Sequence, residues 1–129
     1  MLDGQTLDDP SIPDDAELWR RIPPWHFYFD GKLGRIRPSK AAFEDDGDGS
    51  PMSVILAAEA GQPERALEGH EGYALAVITA GLARSCGQQI VRDPTAEEPA
   101  HAVVIGLKTD SIKRRFAREA RWAVLPPDP

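Results

Sequence analysis

Apolar residues lie in short runs along the chain, separated by proline, glycine and charged residues. Runs of this length that are rich in β-branched and aromatic residues predict strands rather than helices. The segment ELWRRI at residues 17–22 fits either a short strand or a single helical turn, which the prolines after it would end. The predicted strands are at residues 54–56, 73–78, 88–92, 101–106 and 122–127.

Residues 25–37 predict a β-hairpin. The aromatic run WHFYF precedes Asp30, Gly31 and Lys32, and LGRIR follows them. Glycine supplies the positive φ that a tight turn needs, so we expect the turn at Gly31. The hairpin would send about half of its aromatic side chains into the core, as alternation along a strand requires.

Four short helices are predicted between the strands, at residues 39–43, 63–68, 80–86 and from Thr109 or Asp110 to about Arg121. Thr79 is a suitable N-cap for the third helix, and Gly87 a suitable stop. One continuous helix over residues 73–86 is the alternative, because alanine and leucine favour helices. In the last helix, spacing by four residues puts Ile112, Phe116 and Ala120 on one face, which should pack on the sheet.

These elements predict an α+β fold. We expect a single small domain over residues 15–129, with a mixed β-sheet, an N-terminal hairpin, two to three short helices and a C-terminal β-α-β unit. Residues 1–14 are acidic and interrupted by Pro10 and Pro13, a composition typical of a flexible arm.

Composition excludes several classes of site. Cys86 is the only cysteine, so an intramolecular disulfide or a multi-cysteine zinc site cannot form, and a reducing, cytoplasmic location is expected. No secretion signal or membrane-spanning run is evident. His26, His70 and His101 lie in separate segments, so no metal site is predicted. The glycine-rich nucleotide-binding motifs are also absent, and no cofactor is predicted.

Charge is distributed in blocks, although the net charge is only -6. In the last helix Arg114, Arg115, Arg118 and Arg121 occupy the arc opposite Ile112. An exposed basic face of this kind predicts a docking surface for a protein partner. The first hypothesis is therefore a small cytosolic interaction or regulatory module, such as an adaptor, an inhibitor or a subunit of a complex. The alternative is that acidic segments of the same chain neutralise these arginines.

The second hypothesis is a small enzyme that acts on a nucleotide or another phosphate-bearing substrate. His101 begins a predicted strand close to Glu98, and a histidine beside a carboxylate suits general acid or base catalysis. Lys108 and Thr109 join a strand to a helix N-terminus, where an anion is favoured. With Arg37, these residues would have to meet in one pocket. An ordinary strand end and an ordinary strand-to-helix connection are the structural alternatives.

The order of certain polar residues is similar to that in small ADP-ribosyltransferase-like folds. Those folds have an arginine or histidine early, a serine on a mid-chain strand and a glutamate late. Arg20 or Arg21, Ser53, and Glu97 or Glu98 follow this order. The resemblance implies chemistry on a nucleotide, and no local motif fixes the role of any one of these residues.

A third hypothesis is nucleic-acid binding through the last helix. Arg35 and Arg37 also lie near Trp25, Phe27, Tyr28 and Phe29, and alternating cations and aromatic rings can bind single-stranded nucleic acid. The acidic net charge disfavours this hypothesis, since it repels phosphate at long range.

Overall fold

The computed structural model describes residues 7–127. The strands are β1 (Glu17–Ile22), β2 (Phe27–Asp30), β3 (Arg35–Pro38), β4 (Met52–Leu56), β5 (Ala74–Thr79), β6 (Gln89–Arg92), β7 (His101–Ile105) and β8 (Arg121–Val124). The α-helices are α1 (Ala57–Ala60), α2 (Ala80–Ser85) and α3 (Asp110–Glu119). Short 3-10 helices lie at Pro24–His26, Lys40–Phe43 and Pro63–Leu67. The α+β class of the fold is confirmed.

Six strands form one sheet in the order β6-β7-β4-β1-β5-β8, and β2 and β3 form a separate hairpin. Every hydrogen-bonded pair in the described residues is antiparallel, so the expectation of a mixed sheet was wrong. The C-terminal β7-α3-β8 unit is present, and its two strands run in the same direction. They are separated by three other strands, so they do not pair as a parallel couple.

The core is built on the central strands. Residues 74–78 of β5 are all buried, as expected for a strand with neighbours on both edges and cover on both faces. Phe116 of α3 is fully buried and meets Phe43 edge to face, with ring centroids 6.0 Å apart. The apolar face of α3 therefore packs on the Lys40–Phe43 turn, which in turn covers the sheet.

The predicted hairpin is formed by β2 and β3, but the left-handed residue of its turn is Gly34, with φ of 69°, and not Gly31. The reason is the length of the loop, whose last residue must turn the chain back into β3. The Asp30 carboxylate accepts hydrogen bonds from the backbone N–H groups of Lys32 and Leu33. Trp25 and Phe29 are 72% and 66% exposed, so these two aromatic rings are not core residues.

The segment 73–86 is a strand followed by a helix, which excludes the continuous helix. Thr79 is the N-cap of α2, and its hydroxyl accepts a hydrogen bond from Leu82 N at 3.1 Å. The run at 54–56 is a strand as predicted, and the short helix α1 follows it directly. The segment 17–22 is strand β1, since it is paired on both edges.

Part of the predicted acidic arm lies against the domain. Ile12 is buried, and Asp9 N donates to the Ile90 carbonyl at 2.8 Å. Arg84 forms ion pairs with Asp8 and Asp14 at 3.1 and 2.7 Å. Residues 1–6 of the arm lie outside the described residues, and its flexibility stays a prediction.

Candidate active site between two strands

The sheet is split near its centre, between β1 and β4. These strands share only the register pairs Leu18 with Leu56 and Trp19 with Ile55, whereas β1 and β5 pair along six residues. Beyond Trp19 the two strands separate, and a cavity of about 260 Å³ opens there. Its polar and aromatic lining includes Trp19, Arg20, Arg21, Asp46, Ser53, His70, Tyr73 and His101.

Arg20 fills the inner part of the split. Its guanidinium donates to three backbone carbonyls, those of Ala42 at 2.9 Å, Ser53 at 2.8 Å and Glu44 at 3.2 Å. Asp46 lies 3.5 Å from Nη1. Burial lowers the pKa of Arg20, and the charge of Asp46 opposes that effect. With its donors engaged by the chain, Arg20 holds the split in shape and has little capacity left for a ligand.

Unlike Arg20, Arg21 has N–H groups that donate to no described residue. Its Nε donates to the Ala66 carbonyl at 2.6 Å, and neither Nη atom has a hydrogen bond or ion pair with another residue in the range 7–127. Burial lowers the pKa of this guanidinium, while the nearby charge of Glu98 raises it. A half-buried, still protonated guanidinium with two free N–H edges is suited to hold a phosphate or a carboxylate.

His101 is fixed in one tautomer by Asp93. Its Nδ1 lies 2.8 Å from the Asp93 carbonyl oxygen, which can only accept, so Nδ1 carries the proton. The Asp93 carboxylate is also 3.3 Å from Nδ1. In the neutral ring Nε2 is therefore the acceptor, and it is the nitrogen available to a molecule in the cavity. This is the arrangement that a general base requires.

Three further side chains complete the rim. Ser53 Oγ donates to the Asp46 carboxylate at 2.9 Å. His70 is oriented as His101 is, with Nδ1 3.0 Å from the Glu68 carbonyl. The rings of His70 and Tyr73 meet edge to face at 5.1 Å, and Trp25 meets Tyr73 at 6.1 Å. The rim thus offers aromatic surface beside the polar groups, which suits a planar heterocycle.

A second cavity, of about 620 Å³, lies next to the first, and Trp19 lines both. Its lining is apolar along Ile12, Leu56 and Ala57. Arg92, the one cation among its described lining residues, is paired with Asp9 and Glu59. The carboxylates of Asp15 and Glu17 also line the second cavity. The second cavity is therefore acidic and is poorly suited to hold a phosphate.

Only part of the predicted catalytic set meets at this site. His101 lines the cavity, and Glu98 acts on Arg21 through its charge. Arg37 lies elsewhere, where it donates to the Ala117 carbonyl at 2.9 Å and lies 3.9 Å from Asp30. The pocket expected from His101, Arg37 and Lys108 together is therefore not formed.

The predicted anion site at the start of α3 is occupied by the chain's own atoms. Lys108 Nζ is bonded to the Asp45 carboxylate at 2.6 Å and to the carbonyls of Val104 and Gly106, and its side chain is only 4% exposed. Thr109 caps α3 by accepting from Ile112 N at 3.3 Å. Anion binding here stays a prediction, and Lys108 would have to leave three contacts to provide it.

The four arginines predicted to bind a partner differ in how closely they are paired with carboxylates of the chain. Arg115 forms an ion pair with Glu119 at 2.7 Å, Arg118 approaches the same carboxylate at 3.9 Å, and Arg121 is paired with Glu17. Arg114 has no ion pair within residues 7–127. Arg121 lies at the start of β8, because α3 ends at Glu119 and not at Arg121. The chain's own carboxylates thus reduce the charge that α3 and the start of β8 present.

Sequence reasoning missed Arg21 as a free cation and His70 and Tyr73 as neighbours of His101. Arg20 and Arg21 are adjacent and chemically identical in the sequence, so only the fold could tell the engaged one from the available one. His70 and Tyr73 lie in the loop before β5, and nothing local indicates that this loop reaches the start of β7.

No protein-family model, no curated protein and no solved structure matches the chain. Within residues 7–127, no three histidine, cysteine, aspartate or glutamate side chains form a group that could hold a metal ion. No helix in that range has the length and apolar character needed to cross a membrane.

Proposed function

We propose that the protein is a small enzyme that acts on a nucleotide or a related phosphate-bearing molecule in the cavity between β1 and β4. One observation carries the proposal. The free guanidinium edge of Arg21 and the tautomerically fixed His101 line the same half-buried cavity. An anion holder beside an oriented base is the minimum that such chemistry needs.

Each group has a distinct role in this proposal. Arg21 binds the phosphate through its Nη atoms, since a planar guanidinium matches two phosphate oxygens. His101 accepts a proton at Nε2, and Asp93 stabilises the imidazolium that forms. The Ser53 hydroxyl offers a further polar contact. The rings of His70 and Tyr73 pack against the base or sugar of the substrate.

The size of the cavity limits the substrate. About 260 Å³ lies below the roughly 300–1,000 Å³ of common ligand sites. The cavity therefore takes one end of a nucleotide, and the remainder of the molecule lies outside it. The similarity in residue order to ADP-ribosyltransferase-like folds is consistent with this, because Arg21 and Ser53 line one cavity and Glu98 lies close to Arg21.

Binding tests the proposal first. The melting temperature of the protein should rise with at least one of AMP, ADP-ribose and NAD, because a ligand that binds only the folded state stabilises it. The variant Arg21→Gln should lose that rise. The matched control is Arg65→Gln, which removes an exposed arginine outside the cavity and should keep the rise. No rise with any of the three probes would count against a nucleotide site.

Turnover tests the role of His101. In His101→Asn the side-chain amide can still donate to the Asp93 carbonyl, but the basic Nε2 is gone. The rate at which the bound probe nucleotide is converted to product, followed by chromatography, should fall about 100-fold or more in this variant. Binding of the probe should persist. His101→Asn with full turnover would exclude His101 as the base, whatever the binding result.

The reducing environment favoured by a single cysteine supports a cytoplasmic location for this enzyme. Docking of a protein partner through α3 and Arg121 has weaker support, because Arg115 and Arg121, two of the four arginines predicted to bind it, are already paired with carboxylates of the chain.

A further inference from the structure

A basic groove runs between the β2–β3 hairpin and α3, away from the candidate active site. Two neighbouring cavities, of about 400 and 120 Å³, share the lining residues Arg37 and Pro38 and together make up this groove. The cations that line the basic groove are Arg35, Arg37, Lys40, Arg114, Arg118 and Arg121. No aspartate or glutamate of residues 7–127 is among its lining residues.

The cations form two rows that face each other. Arg35 and Arg37 are two residues apart on β3, so their side chains leave the strand on the same side, roughly 6.6 Å apart along it. Arg114 and Arg118 are four residues apart on α3, on one face and about 6 Å apart along the axis. Four cations in two rows, with Lys40 and Arg121 beside them, are unexpected in a chain whose net charge is -6.

Part of this charge is available to a ligand, whereas Arg37 donates to the Ala117 carbonyl at 2.9 Å and Arg121 is paired with Glu17. Arg35 and Arg114 have no ion pair with any described residue. Arg118 lies 3.9 Å from the nearest carboxylate, and Lys40 lies 3.2 Å from Asp110 on an exposed surface. Exposed pairs of this kind contribute little to stability, so phosphate can replace these two carboxylates.

Tyr28 gives the groove an aromatic surface. It lies directly across the hairpin from Arg37 and lines the wider cavity, and its side chain is half exposed. An exposed ring beside rows of cations is the combination by which proteins hold single-stranded nucleic acid, since the ring stacks on a base while the cations neutralise phosphates. An acidic peptide would use the cations and leave the ring without a partner.

We propose that the basic groove binds single-stranded nucleic acid, with phosphates between the two rows of cations and a base stacked on Tyr28. The proposal is independent of the cavity between β1 and β4. The variant Arg21→Gln should therefore keep the oligonucleotide affinity of the wild type, and a loss in that variant would assign the binding to the cavity and overturn the groove.

The charge test uses fluorescence anisotropy with labelled 20-nucleotide oligo-dT and oligo-U. Arg114→Glu combined with Arg118→Glu should weaken binding at least tenfold. It should also reduce the slope of log affinity against log salt by about 1.4, which corresponds to two lost phosphate contacts at roughly 0.7 each. The matched control is Lys32→Glu with Arg65→Glu, which makes the same change in charge at exposed cations outside the groove. Equal losses in both double variants would overturn the proposal.

The stacking test compares two neighbouring aromatic residues of the hairpin. Tyr28→Ala should weaken binding about five- to a hundredfold. Phe29→Ala should not, because Phe29 is on the opposite side of the hairpin and does not line the groove. Thermal unfolding of each variant checks that the fold is intact.

Two competitors decide the class of ligand. Poly-glutamate and a duplex of the same length should each displace the labelled strand less well than an unlabelled single strand does. Displacement by poly-glutamate at equal concentration would indicate an acidic protein as the partner, and equal displacement by the duplex would remove the preference for single strands. Either result, or no binding at 50 mM salt, would overturn the proposal.

Discussion

Arg20 Nη1 donates to the backbone carbonyl of Ser53 at 2.8 Å, across the point at which β1 and β4 stop pairing. Where a sheet ladder would continue, a side chain takes the place of the backbone donor. The Ser53 carbonyl, which the split leaves without a strand partner, is thus satisfied, as buried carbonyl groups must be. The cavity next to Arg21 can open here because Arg20 supplies this hydrogen bond.

Replacement of Arg20 should therefore affect folding and not ligand binding directly. Arg20→Met leaves the carbonyls of Ala42, Ser53 and Glu44 without their donor, and its side chain is only 16% exposed in the wild type. We expect a loss of about 2–4 kcal/mol in the free energy of unfolding, since hydrogen bonds to a charged group contribute about 1.5–3 kcal/mol and are not additive. Urea denaturation measures it. Arg21→Met should lower the free energy of unfolding by less than half as much. Equal losses in the two variants would contradict the distinction between a structural Arg20 and a ligand-binding Arg21.

Gly106 packs against the buried side-chain amide of Gln88, which would have to move to admit a methyl group. A Cβ at residue 106 would lie 2.7 Å from Gln88 Oε1, and the φ of 152° is one that L-residues rarely adopt. Gly106→Ala should lower the free energy of unfolding by roughly 2 kcal/mol or more, from overpacking and backbone strain together. Gly47→Ala is the control, because its Cβ would meet no atom within 4 Å. The double variant with Gln88→Ala should recover part of the loss, and a double variant no more stable than Gly106→Ala alone would show that the amide is not the obstacle.

Removal of the N-cap of α2 should lower the free energy of unfolding by less than the Gly106 substitution does. Thr79→Ala removes the acceptor for Leu82 N, and we expect a loss of about 1 kcal/mol in the free energy of unfolding. Thr79→Ser keeps the hydroxyl and should retain most of that free energy. A serine variant as unstable as the alanine variant would mean that the methyl group of Thr79, and not its cap, is what matters.

The elements were predictable where the signal is local. The cap at Thr79, the hairpin at residues 27–38 and the strand at His101 follow from the residues themselves. The pairing of strands was not predictable, because β1 pairs with β5 more than 50 residues away, and the intervening segments do not encode that choice. Because the pairing of strands could not be predicted, the separation of Arg37 from His101 could not be predicted either. Both residues have suitable chemistry, but the hairpin is a separate sheet and carries Arg37 to α3.

The acidic segment before β1 should detach at low pH. Hydrogen bonds from Ser11, first of all from its side chain, lower the pKa of Asp9, and the charge of Arg92 lowers it further. A carboxyl group whose pKa is lower in the folded state stabilises that state above about pH 4. This contribution is lost as the pH falls through the folded pKa. The amide exchange of Ile12, measured by hydrogen exchange and mass spectrometry, should therefore accelerate below pH 4, more than that of the buried strand β5.

Asp9→Asn should give the same fast exchange of Ile12 at pH 7, because the amide cannot form the ion pair with Arg92. As the pH falls below 4, the wild type should approach the variant, since protonation of Asp9 removes the same charge. Asp15→Asn is the control, because Asp15 has no hydrogen bond or ion pair with any residue that the structure describes. A constant difference between the wild type and Asp9→Asn from pH 7 to pH 2 would mean that Asp9 acts through the shape of the Asp9–Ser11 turn and not through its charge.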